Sequence, residues 1–112
     1  MGRPLRVDEC ELVRTMLHGK AGSALISNIE QSIVEDIEDG GMGSIRFVSR
    51  TNRPRVFGDA IAAAEYIDDD GALVSITVNS DDRGELYEVD FWKGDFSPLR
   101  RYPNATDLRL KA

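Results

Sequence analysis

Apolar positions change period along this chain, from helical to alternating. Leu12, Val13, Met16 and Leu17 recur at helical spacing and predict an amphipathic helix over 8–18. Asp8 reads as its N-cap, with Glu11 at capping-box distance and Val7 placed to staple onto Leu12, while His18 and Gly19 mark its end. Beyond "GKAG", Leu25, Ile26 and Ile29 share one face behind a capping Ser23, which predicts a second short helix over 23–30. From Ser32 the pattern alternates: Ile33, Glu35 and Ile37 oppose Val34 and Asp36, and "DGGMGS" turns the chain into "IRFVS". That predicts a hairpin of strands over 32–38 and 44–49.

Three further runs, over 60–67, 72–79 and 85–93, are joined by "DDG" and "SDDRG", whose residues suit tight turns. The first contains three consecutive alanines and has helical propensity, but the turn and β-branched run that follow favour a strand. Period two then sends Val74, Ile76, Val78, Tyr87, Val89 and Phe91 to the core. Ser75, Thr77, Asn79, Leu86, Glu88, Asp90 and Trp92 face the other way. Pro98 and Pro103 break regular structure in the segment 94–112, so Phe96, Leu99 and Tyr102 are expected to pack along an edge. The expected architecture is a single α+β domain over 1–112, with two short N-terminal helices on one face of an antiparallel meander of about five strands and the other face wet.

Composition narrows this picture only a little. A chain of 112 residues suits one domain. Neither a signal-peptide run nor a stretch approaching the roughly 18 apolar residues of a membrane span is present, so a cytoplasmic protein without a membrane partner is expected. The single cysteine forms no internal disulfide and agrees with a reducing compartment. The formal charge of −6 is uneven: residues 30–95 hold 6 of the 14 bases and 16 of the 20 acids. Such a segment repels phosphate backbones and argues against nucleic acid as a partner. The basic island "RTNRPR", with Arg50, Arg53 and Arg55, reads as a solvated loop.

Candidate chemistry fails constellation by constellation. Cys10 and His18 are the only residues of their kinds, and eight helical residues hold their backbones about 12 Å apart, too far for a thiol and its base. Glu88 and Asp90 share a strand face at roughly 6–7 Å, a spacing compatible with paired carboxylates, although every polar strand face produces such pairs. "NSDDRGELYEVD" imitates a calcium loop but would need Arg83 as its fifth-position ligand. "DIEDGGMG" precedes no helix that could bind phosphate. With one histidine and one cysteine, no zinc site is expected, nor any cofactor or catalytic residue.

The stretches "PLRVDECELVRTML", "DGGMGSIRF", "DDDG" and "GELYEVDFWKGDFSPL" together resemble a family of short bacterial proteins grouped as a domain of unknown function. The resemblance covers most of the chain and implies membership without an activity. In that family an apolar residue stands where this chain has Gly94, which implies a looser turn after Trp92. Small acidic proteins of this general kind are similar, by analogy, to immunity partners of toxins. The expected function is therefore non-catalytic binding of a protein partner, immunity-like or by homodimerisation, through an acidic sheet face bearing Glu88, Asp90, Trp92, Lys93 and Asp95. The alternative is a small hydrolase using Glu88 and Asp90.

Overall fold

A computed structural model describes residues 2–19, 25–27, 29–49 and 54–111. Its strands are β1 (Arg3–Pro4), β2 (Ile33–Asp36), β3 (Ile45–Phe47), β4 (Phe57–Ile67), β5 (Leu73–Asp81), β6 (Leu86–Lys93) and β7 (Arg109–Leu110), with one α-helix, α1 (Val7–Leu17), among the described residues. All seven strands join one antiparallel sheet in the order β1-β2-β3-β6-β5-β4-β7.

This corrects the expected two helices on a five-stranded meander. Part of the stretch 23–30 lies outside the described residues, and at its end Ile29–Gln31 forms a single 3-10 turn. Ser32 N–H closes that turn onto the Ile29 carbonyl at 3.0 Å, and the chain passes straight into β2. Two edge strands also escape the expected count, because β1 and β7 are two residues each and too short to show alternation. Nor is the sheet a simple meander. After β3 the chain crosses to β4, and β6 returns to lie beside β3 in a Greek-key arrangement. The pairing is selected by side chains: Arg46 lies opposite Glu88 in register and their charges meet at 2.7 Å, while Ile45 opposes Val89 beneath.

The helix begins one residue earlier than expected and is capped differently. Arg6 is its N-cap, and its N–H donates to Glu9 Oε1 at 2.8 Å. The Arg3 guanidinium grips both Glu9 oxygens at 2.9 Å, so β1 and the first turn share one buried carboxylate. Asp8 and Glu11 do not make the cap, and Val7, being exposed, staples nothing.

Leu12, Val13, Met16 and Leu17 of α1 are fully buried against Ala62, Ala64 and Tyr66 of β4, Val74, Ile76 and Val78 of β5, and Val89 and Phe91 of β6. The alanines that lend β4 its helical propensity are small residues of the sheet that α1 packs against. The burial of Ala62 and Ala64 within an eleven-residue strand shows tertiary packing overriding local preference. The last segment is ordered by the "DDDG" turn: the Arg100 and Arg101 N–H groups donate to Asp68 at 2.8 and 3.0 Å, and the Arg101 guanidinium reaches Asp69 and Asp107. Tyr102 then lies with its ring centroid 5.5 Å from that of Phe91.

Candidate functional site

Alternation along β6 buries Val89, Phe91 and Lys93 and leaves Asp90 and Trp92 on the opposite face, which α1 does not cover. Trp92 is 52% exposed. Ser75 is its cross-strand partner on β5, Leu73 lies one pleat further on the same face, and Leu73 is itself opposite Ile67 of β4. Leu73 and Ile67 are also exposed. Beyond the end of β6 the chain turns through Lys93–Phe96, with Phe96 N–H donating to the Lys93 carbonyl at 2.9 Å. Phe96 adopts φ 58°, a left-handed conformation unusual outside glycine. Its ring stands edge-on to Trp92, with centroids 5.8 Å apart and planes at 88°, and is 64% exposed. Four large apolar side chains thus gather at one end of the uncovered face.

The acids around them differ in state. Glu88 is neutralised by Arg46, whose Nε and Nη2 lie 3.2 and 2.7 Å from its carboxylate. Glu65, further along the face, is held by Arg109 and Lys111. Asp95 accepts from its own turn, from the Ser97 N–H and hydroxyl at 3.0 and 2.7 Å. Asp90 has no cationic partner among the described residues; only the Ser44 hydroxyl approaches it, at 3.4 Å. Desolvation against the sheet, and then the neighbouring Glu88 charge, push the Asp90 carboxyl above its ordinary range, with Ser44 opposing. Of the acids expected to make this face negative, Asp90 and Asp95 have no ion pair among the described residues, and Asp95 is taken up by short hydrogen bonds within its own turn while Asp90 has only a long one.

Lys93 is not part of that face. Its side chain is fully buried on the core side, where Nζ donates to Asp68 at 2.9 Å, Asp70 at 2.6 Å and the Pro98 carbonyl at 3.0 Å. Burial pulls its pKa down, but the bonds to Asp70 and Asp68 outweigh it and the net shift is upward. The reason is parity: position 93 follows Val89 and Phe91 inward, and the acidic turn supplies the counter-charge that makes the burial tolerable. Phe96, Leu73 and Ile67 join the face without having been anticipated there. Parity with Val74 and Tyr66 was the available signal for Leu73 and Ile67, whereas the turn that raises Phe96 has none.

Other sequence candidates resolve structurally. Cys10 is buried, and that burial raises its thiol pKa. Arg55, expected in a solvated loop, is buried among the carbonyls of Phe47 and Leu86 and the Asp81 carboxylate. Arg50 and Arg53 lie outside the described residues. A shallow depression of about 260 Å3 beside Arg46, Arg55 and Tyr87 includes neither Glu88 nor Asp90, and both guanidiniums stack on the Tyr87 ring at 5.5 and 5.1 Å. Among the described residues, no helix is long and apolar enough to cross a membrane.

The family described as Domain of unknown function (DUF6984) matches residues 2–103, which run from β1 through the segment pinned by Asp68. The chain belongs to this family. No curated protein and no solved structure matches the chain. The matched span of this DUF6984 member takes in α1, strands β1 to β6 and the whole apolar end of the open face, and stops short of β7.

Proposed function

We propose that this domain is a non-catalytic interaction module, cytoplasmic in setting, that docks a protein partner on the uncovered face around Trp92. The observation that carries the reading is the exposure of Trp92, Phe96, Leu73 and Ile67 together at one end of a face that no element of the described chain covers. Aromatic side chains at the centre of such patches supply most of the energy of protein association. Glu88, held by Arg46, flanks the patch, and Asp90 offers the partner a charge to satisfy. An immunity-like role would use the same surface against a basic protein. The one free, buried cysteine suits a reducing compartment. A hydrolytic pair is less favoured, because Glu88 is engaged by Arg46 and the described depression beside Arg46 does not hold the two carboxylates.

The test begins with products of the neighbouring genes, co-expressed and purified with the protein, and light scattering of the protein alone. A stable complex or a dimer should lose affinity by about 30-fold or more in Trp92→Ala, as expected when an anchor worth ~2 kcal/mol is truncated. Thermal unfolding of the free variant should stay close to that of the parent. A variant that melts, or a complex indifferent to it, overturns the proposal.

A further inference from the structure

On the reading of this face as a docking surface, we propose that Asp90, Trp92 and Phe96 form a receptor for an arginine side chain of a polypeptide partner. Asp90 and Trp92 point from the same side of β6 two residues apart, so carboxylate and indole stand roughly 6–7 Å apart at their backbones. The Trp92 and Phe96 rings meet at 88° and form the two walls of a corner open to solvent. A guanidinium laid flat on the indole fits that corner, because it is planar, weakly hydrated and attracted to aromatic faces. From there its N–H groups can reach a carboxylate beside the ring.

The charge state of the surroundings selects this ligand over a neutral one. Around Trp92 the acids Glu88 and Glu65 already have arginine partners supplied by the chain itself, Arg46 and Arg109. Asp95 is capped by Ser97. Asp90 is left with a distant hydroxyl and no cation among the described residues, beside the largest exposed ring of the molecule. An arginine would satisfy that carboxylate as Arg46 satisfies Glu88 one pleat away. Lysine would bring the charge but neither the stacking plane nor the forked donors. Leu73 and Ile67 extend the apolar floor for the aliphatic residues that flank the arginine in the partner.

Trp92 is the only tryptophan, so its emission reports occupancy directly. The probes are two acetylated octapeptides, one alternating leucine with arginine and one alternating leucine with glutamine, titrated at roughly 0.15 M salt to screen general attraction to an acidic chain. The arginine peptide should shift the emission saturably, with a midpoint at least tenfold lower than the glutamine peptide. Asp90→Asn and Phe96→Gly should each remove that preference. Asp59→Asn, which deletes the same charge at the far end of β4, should keep it. Equal binding of the two peptides overturns the arginine assignment and leaves the docking face standing. A preference that survives Asp90→Asn, or vanishes in Asp59→Asn, overturns it too. No response to either peptide, from an indole still quenched by acrylamide, overturns both the assignment and the face.

Discussion

Asp90 and Asp68 are carboxylates of opposite consequence. The fold raises the Asp90 pKa, so above both its folded and unfolded values the ionised side chain detracts from stability. Asp90→Asn should therefore raise the unfolding temperature at pH 7 slightly, by roughly 1–3 °C, while weakening partner binding. Calorimetry of the free variant checks this; a fall in unfolding temperature refutes it. For Asp68, burial pushes its pKa up, but the Arg100 N–H, the Lys93 ammonium and the N–H groups of Asp69 and Arg101 outweigh it and bring the pKa down to about 2 from an ordinary 3.8. The folded form thus binds its proton less readily than the unfolded chain. The stability this contributes is complete above the unfolded value and is lost as pH falls from about 4 towards 2. Denaturant titrations between pH 5 and pH 2 should show that loss, and Asp68→Asn should flatten it. Parity in the sequence placed Trp92 outside correctly and could have placed Lys93 inside, yet a lone lysine at a strand end reads as solvated until its two aspartates, more than twenty residues upstream, are seen to surround it.

At the level of elements, strong alternation was legible and brief pairing was not. β5 and β6 carry their inward residues at Val74, Ile76, Val78, Val89 and Phe91 as the pattern demands, because each has one dry face and one wet face. The second helix failed because Leu25, Ile26 and Ile29 supply a helical face for barely two turns, too few to offset nucleation, and the 3-10 turn at Ile29–Gln31 needs no more. Pairing order was hidden because neighbours in the sheet are distant in sequence, as Arg46 and Glu88 are. β4 illustrates a further constraint that no periodicity reports. Its ladder with β5 slips between Phe57 and Asp59, and at that slip Gly58 passes so close to Asp81 that a Cβ there would lie 2.1 Å from the Asp81 carbonyl oxygen. Backbone cannot yield as a side-chain tip can. Gly58→Ala should cost about 2–4 kcal/mol in denaturant unfolding, well above the ordinary cost of a surface glycine replacement. A change below about 0.5 kcal/mol would show that the bulge relaxes freely.

Across the whole molecule, the segment after β6 is the part that composition made look irregular and that the fold uses as a strap. It runs from the Phe96 turn past the buried Lys93, where the Pro98 carbonyl accepts from Nζ, and past Gly41, whose carbonyl accepts the Leu99 N–H at 3.1 Å. Asp68 receives the next two backbone N–H groups, Tyr102 covers Phe91, and only then does the chain reach β7 on the edge of β4. The two halves of this strap are unequal. Residues 98–103 satisfy buried charges at Asp68 and Lys93, whereas 104–111 add the Arg101–Asp107 and Arg109–Glu65 pairs, which are partly exposed at the surface and contribute less. The family match ends at residue 103, at the boundary between them. Deleting 104–112 should therefore leave a cooperative unfolding transition at a lower temperature, with the emission of Trp92 unchanged. Deleting 98–112 removes two backbone donors of Asp68, one acceptor of Lys93 and the cover of Phe91 together, and an under-satisfied buried ion pair with an opened core is costly enough to unfold a domain of this size. Circular dichroism melts of the two truncated chains decide the matter: a longer deletion that still melts cooperatively would show that Lys93, Asp68 and Asp70 hold the open face in place without the strap.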